Sequence, residues 1–476
     1  MGLLVLGDVA TAGAITRDTV LQRSKRWVDL GVPYSQSKYF EGYRQDCTGF
    51  VSMSWALTTA SGAPVSPATD TLPGRGVAIS KDRLLPGDMI VRPKTATTWG
   101  HAVIFGGWVD SSRTYYWCYE QSNSAGGSRL RQTPYPYWPS SGSGFSPYRY
   151  TGITEDLSRT VRIFGADRYT TAAAASAASF KDASTVGTVV LATGESWPDA
   201  LGAAGLAGAV RGPVLLTNSL GLTAAARQEI VRLAPERVLV VGGAGAVSDG
   251  VLDEIRTLGV PVVDRLGGLN RYETAALVAE RLVVELQAAG RTFDKAAYVV
   301  TGEEFADALS VAPVSAARAR PVLLALPWAL PDVTQGTLAD LGVTRVIIVG
   351  GEGAVGRTVR DGLEASGRTV TRIAGADRYS TSRAVADHGL TEGLSRSQAG
   401  FATGESFPDA LAAGPALGLS SPGAVLYLTS PAGVDPALYT VVQTNRTAIG
   451  TARVYGGAGV LPEQVRAEIT AALRGW

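Results

Sequence analysis

Two residues of this chain stand out as suited to covalent chemistry: Cys47 in Gln45-Asp-Cys-Thr-Gly-Phe50, and His101 in Gly100-His-Ala-Val-Ile-Phe105. A thiol attacks carbonyl carbon as its anion, and a neighbouring imidazole takes its proton and later returns one to the leaving group. A third polar group on the far imidazole nitrogen completes a nucleophile, a base and an orienter. The run Trp117-Cys-Tyr-Glu-Gln-Ser-Asn123 supplies several polar candidates for it. Such a set cleaves an amide through a thioester and needs no cofactor. Two His and two Cys in 476 residues, without HExxH or CxxC spacing, make no convincing zinc site, so no metal is expected.

Local elements must hold these groups together. Arg17–Leu30 reads as an amphipathic helix with Val20, Leu21, Trp27, Val28 and Leu30 on its buried stripe, followed by a turn at Gly31-Val-Pro-Tyr34. Phe50, Val51, Trp55 and the Ala56-Leu57 pair recur at helical spacing, which sets Cys47 at or just before a helix N-terminus. Unpaired N–H groups and the helix dipole there favour a thiolate. His101 begins an alternating stretch that reads as a strand, and Thr114–Gln121 reads as the next. Alternation places Cys118 on the same side as Glu120, so a Cys47–Cys118 disulfide stays open as an alternative to a free nucleophile. Asp46 serves either the site or a helix cap, and Tyr34 either the site or a core. His388, behind a helix, is most simply a surface residue. The aromatic run from Tyr135 to Tyr150 suits either a sugar-stacking groove or the core of a small domain.

In their order, VPYSQ, DCTGFVSMSWAL, LLPGDMIV and GHAVIFGGW resemble the NlpC-type and CHAP-type cysteine peptidases and amidases of bacterial cell walls, over about Ile15 to Tyr150. The resemblance implies a papain-like α+β fold with Cys47 as nucleophile and His101 as base. It also implies that Tyr34 helps position the thiol and that Asp46 precedes the nucleophile as it commonly does in the family. The resemblance to the CHAP type, which has an acidic residue here, implies Glu120 as the third member, with Gln121 and Asn123 behind it, although the hairpin after His101 is longer than the usual NlpC pattern.

The remainder of the chain repeats itself. Arg162-Ile-Phe-Gly-Ala-Asp-Arg-Tyr169, Arg265-Leu-Gly-Gly-Leu-Asn-Arg-Tyr272 and Arg372-Ile-Ala-Gly-Ala-Asp-Arg-Tyr379 open three copies of about 100 residues. In each copy strands ending in Thr-Gly, in a Pro-Val-Leu-Leu-like run and in Gly-Gly alternate with helices, the pattern of a parallel sheet covered on both faces. Asp167, Asn270 and Asp377 are placed to cap the helices that follow. Arg168, Arg271 and Arg378 beside them either present guanidinium forks to an anion or pair with Asp199, Asp307 and Asp409 of their own copies. The Gly-Gly loops lack dinucleotide-site spacing and a Walker lysine, which argues against a nucleotide. These copies resemble the cell-wall-binding repeat type 2 family of Gram-positive surface proteins. That implies Toprim-like α/β domains in a pseudo-threefold arrangement, anchored to an anionic wall polymer.

Composition agrees with this division: six of the nine Trp and ten of the 17 Tyr lie in the first 150 residues, and the rest is rich in Ala, Gly, Val and Leu. A net charge of +1 without a polybasic segment speaks against a nucleic-acid partner. No apolar run approaches the ~20 residues of a membrane span, so the chain reads as soluble. Leu3–Leu6 followed by Ala12-Gly-Ala14 reads as a leader remnant over residues 1–14. The expected domains are 15–150 for the hydrolase, 151–160 for a linker, and 161–263, 264–370 and 371–476 for the repeats. The expected protein is a secreted, wall-associated monomer that cuts an amide in peptidoglycan. An anchor or adhesion protein with an inactive papain-like domain is the alternative.

Overall fold

The computed structural model describes residues 14–110, 112–141, 143–154 and 157–475. Most of the leader stretch, residues 1–13, lies outside them. The chain separates into two compact units. One holds the residues through Ser158, together with Pro436–Arg446 and the chain end from Ala467; the other holds Arg159–Asp435 and Thr447–Arg466.

In the first unit, Arg17–Asp29 and Cys47–Ser54 are helices, and a six-stranded antiparallel sheet runs in the order Gly76–Ala78, Ser146–Tyr150, Met89–Arg92, His101–Trp108, Tyr115–Ser122, Gly127–Pro134. One apolar cluster joins Val20 and Trp27 of the first helix, Phe50, Val51 and Met53 of the second, and Met89, Val91, Ala102 and Ile104 of the sheet. A second gathers Ile90, Val103, Phe105, Tyr116, Cys118, Tyr137 and Phe145. Most of the aromatic surplus is therefore core. Leu85, Ala467, Ala471 and Tyr439 form a small cluster that gives this unit its C-terminal helical segments.

The second unit contains three four-stranded parallel sheets. The first runs Val214–Thr217, Thr188–Thr193, Arg237–Val241, Val262–Leu266, and the second Val322–Ala325, Ala296–Thr301, Arg345–Val349, Thr369–Ile373. Each edge strand that opens the next sequence copy thus completes the sheet of the copy before it. The third sheet follows the same rule across the whole module: Thr160–Ile163 pairs in parallel with Ala452–Tyr455. Strands some 290 residues apart in sequence therefore close a ring. At its centre the helices Ala203–Val210, Ala306–Arg318 and Pro408–Gly418 pack on one another in one apolar cluster. A Cβ on Gly208 would lie 2.0 Å from the Ala316 carbonyl oxygen, so only glycine permits that approach.

Asp167, Asn270 and Asp377 each cap a helix as expected, accepting from Thr170 N, from Tyr272 and Glu273 N, and from Ser380 N. His388 departs from expectation. It is half-buried, and its Nε2 meets the Tyr298 hydroxyl of the second copy at 3.2 Å, because the helix bearing it packs against the neighbouring copy instead of facing solvent.

Candidate functional site

Cys47 is the first residue of its helix, and Asp46 is the N-cap. The Asp46 carboxylate accepts from Gly49 N at 2.8 Å and from Thr48 Oγ1 at 3.1 Å, and is ion-paired with Arg44. Its acceptor capacity is thereby spent on the turn that presents the cysteine. Gly49 is fixed by crowding, since a Cβ there would fall 1.7 Å from the Arg44 carbonyl oxygen. Asp-Cys-Thr-Gly is thus a backbone requirement as much as a chemical one. The Cys47 N–H starts the helix and has no acceptor among the described residues.

His101 opens the strand His101–Trp108 and is 7% exposed. Nε2 lies 3.1 Å from Glu120 Oε2, and Cys47 lines the same cavity and acts electrostatically on the ring. Burial works against the charged imidazole, but the bonds to Cys47 and Glu120 and their charges outweigh it and push the His101 pKa up to about 9. The Trp99 and Tyr137 rings flank the imidazole with centroids 5.9 and 5.2 Å away.

Glu120 is fully buried and is the meeting point of the site. Besides His101 it accepts from the Tyr137 hydroxyl, from Arg129 Nε at 2.7 Å, and faces Arg131 Nε at 2.8 Å. Burial favours its neutral form, yet His101, Tyr137 and Arg131 hold its pKa down to about 2. Burial and the adjacent Glu120 push the Tyr137 phenol upward, so it stays protonated and donates. Sequence reasoning missed Tyr137, Arg129 and Arg131. The two arginines were legible in principle, since they lie on the hairpin strand facing Glu120, which pairs with Arg129. Tyr137 comes from the irregular segment beyond and carried no signal.

Tyr34, Cys47, Trp99, His101, Arg129 and Tyr137 are among the residues lining one cavity of about 760 Å³. The Tyr34 hydroxyl accepts from Gln36 Nε2 at 3.2 Å, and burial raises its pKa. Asn123 also lines the cavity. Gln121 does not: its Nε2 donates to the carbonyls of Val32, Pro33 and Gln45, tying the sheet to the turn and to the approach of the cysteine helix. Both cysteines are free. Cys118 is wholly buried beside Phe105 and Tyr116, where burial and the Glu120 charge push its thiol up.

The repeat arginines form a different kind of site. Arg168, Arg271 and Arg378 each donate Nη1 to the Thr-Gly carbonyl of their own copy, at Gly194, Gly302 and Gly404. Each also lies over an aromatic ring of the preceding copy in the cycle: Arg271 over Trp197 at 5.1 Å, Arg378 over Phe305 at 5.7 Å and Arg168 over Phe407 at 6.0 Å. The same-copy pairing with Asp199, Asp307 and Asp409 is not made among the described residues. The charge neighbours are again in the preceding copy, Asp307 for Arg378 and Asp409 for Arg168, because the ring sets each Thr-Gly turn against the next copy's helix start.

The larger unit is therefore a triplicated α/β module closed into a ring. The chain belongs to the cell wall binding domain 2 (CWB2) family, whose profile matches residues 162–252, 265–360 and 372–466, together more than half of its length. It is 33% identical over 251 residues to N-acetylmuramoyl-L-alanine amidase LytC of Bacillus subtilis (strain 168), covering 53% of this chain and 47% of that one. It is 35% identical over 232 residues to an amidase enhancer of the same organism, covering 49% of this chain and 30% of that one. The chain thus spans less than half the length of either relative, and the likeness to LytC lies in the repeats. Among solved structures, Cwp8 from Clostridium difficile matches with a TM-score of 0.58 at 25% identity over 67% of this chain and 52% of that one. Cwp6 from the same organism shares the fold, with a TM-score of 0.58 at 19% identity over 81% of this chain and 63% of that one. No helix among the described residues is long and apolar enough to cross a membrane.

Proposed function

We propose that this chain is an exported hydrolase that cuts an amide bond in peptidoglycan with the Cys47 thiol, held at the wall by its three repeats. One observation carries the reading: a buried imidazole held by a buried carboxylate lines one cavity with a cysteine at a helix start. The helix-on-antiparallel-sheet arrangement of the first unit is compatible with the papain-like reading of Ile15–Tyr150.

The mechanism follows from the geometry. Cys47 attacks the carbonyl as thiolate while His101 carries the proton, a division that the Glu120 charge favours. The tetrahedral oxyanion is met by the Cys47 N–H, a kind of contact worth about 3 kcal/mol of barrier in hydrolases. His101 passes its proton to the departing amine through Nδ1, and water, activated by the same nitrogen, hydrolyses the thioester. Glu120 holds the ring and stabilises its charged form, and Tyr137 with the two arginines keeps Glu120 ionised. Tyr34 lines the approach and Asp46 acts through the helix start.

The repeats supply the anchor. The relatives named as an amidase and an amidase enhancer support a place in wall turnover. The nitrogens of Arg168, Arg271 and Arg378 not spent on glycine carbonyls are the proposed contacts to an anionic wall polymer. Three weak sites in one ring raise residence time through effective concentration. The test is incubation of wall sacculi with the wild type and with Cys47→Ala, followed by mass analysis of released fragments. Release by the wild type alone, with both proteins sedimenting on the wall, is the expected result. Equal release by both rejects the thiol mechanism, and release by neither with sedimentation intact identifies an anchor protein.

A further inference from the structure

We propose that the cavity beside Cys47 selects substrates bearing a free carboxylate next to the scissile amide, and that Arg129 is the residue that reads it. The inference rests on the amide-hydrolase reading above and adds the charge of the substrate to it.

Arg129, Arg131 and His101 line the cavity, and among the described residues no Asp, Glu or Lys does; the Glu120 carboxylate is fully buried behind them. Apart from the Cys47 thiol itself, the ionisable groups a ligand meets there are cationic or phenolic. A neutral substrate gains nothing from them, whereas a carboxylate exchanges water for charge-assisted hydrogen bonds.

Arg129 is built to make those bonds. Its position on the hairpin strand opposite Glu120 brings Nε to Glu120 Oε1 at 2.7 Å. Its terminal nitrogens, by contrast, donate no hydrogen bond among the described residues, and the side chain remains 32% exposed. One edge of the guanidinium is thus anchored, and the terminal pair stays open to a ligand. An anchored fork loses less rotamer freedom on binding a planar carboxylate than a free surface arginine does. Arg131 differs: its Nη2 donates to the Tyr137 hydroxyl at 3.1 Å, and its guanidinium lies 5.2 Å from the Trp138 ring, so it chiefly supports Glu120.

The test uses the full chain and soluble peptidoglycan fragments, either untreated or with carboxyls converted to carboxamides by carbodiimide and ammonia. Soluble fragments keep wall anchoring out of the measurement. The wild type is expected to turn over untreated fragments with kcat/KM about 10-fold or more above the amidated ones, most of it in KM, with the ratio shrinking as salt is added. In Arg129→Gln the ratio falls to near one. Equal turnover of both fragments by the wild type overturns the proposal while leaving the hydrolase reading intact. A ratio that survives in Arg129→Gln also overturns it, since an arginine that only steadies Glu120 lowers kcat on both fragments together. Turnover by Cys47→Ala, or none by the wild type, defeats the hydrolase reading and the proposal with it.

Discussion

Arginine does two different jobs in the two units. Around Glu120, two guanidiniums, a phenol and an imidazole converge on one carboxylate, and each of these groups occurs once. In the ring, Arg168, Arg271 and Arg378 repeat one arrangement three times, a glycine carbonyl in the same copy and an aromatic face in the preceding one. The convergent set biases protonation of one imidazole. The dispersed set joins copy to copy, each member acting on its own neighbours. Residue type is therefore a poor guide to role here, and the number of groups sharing one partner is a better one.

The sharpest way to break that contrast is Cys47→Ala, which should lower fragment release by at least about 10³-fold while leaving sedimentation on sacculi unchanged. Next comes Glu120→Gln, which keeps the shape and removes the charge; kcat should drop by about 10²-fold or more. The same change should lower the His101 pKa, read from its imidazole resonances by NMR, a readable experiment in a chain with two histidines.

The pH dependence of stability has two signs. The His101 pKa rises to about 9 in the folded state, so its contribution is full below the ordinary value near 6.5 and fades as pH climbs through about 9. The Glu120 pKa falls to about 2, so its contribution is full above the ordinary value near 4.5 and is lost as pH drops towards 2. Thermal unfolding followed between pH 6 and 10 should show the decline in the wild type and a smaller one in Cys47→Ala.

A smaller effect is expected in the ring. Arg271→Ala removes a hydrogen bond to the Gly302 carbonyl and the contact with Trp197, and should cost about 2 kcal/mol, read by denaturant unfolding. It should leave turnover of soluble fragments unaltered. Reversing the charge of all three arginines together should weaken sedimentation; unfolding instead would show that their structural work dominates. The smallest change is Tyr298→Phe, which removes the hydroxyl facing His388 and should move only the second histidine resonance.

Much of the site was legible because the local chemistry was loud. Asp46-Cys-Thr-Gly marked a helix start, alternation at His101 marked a strand, and the hairpin that follows could be read to Glu120. Tyr137 was not legible, since it reaches Glu120 from an irregular segment with no periodicity. His388 was misread as a surface residue because the partner that buries it belongs to another copy. The arginines of the repeats were correctly set at helix starts, but they bond glycine carbonyls of their own copies and face rings of the preceding copy in place of the aspartates that spacing suggested.

The amino-acid order alone determined the triplication, the strand and helix alternation within each copy, and the three helix caps. These depend on contacts within a few residues or on periodicities of 2 and 3.6. Only the folded chain decided which edge strand completes which sheet, that Thr160–Ile163 closes the ring on Ala452–Tyr455, and that four polar groups meet on Glu120. Such pairings join distant segments whose own residues carry no mark of the partner, because burial and charge compensation act through space and not along the chain.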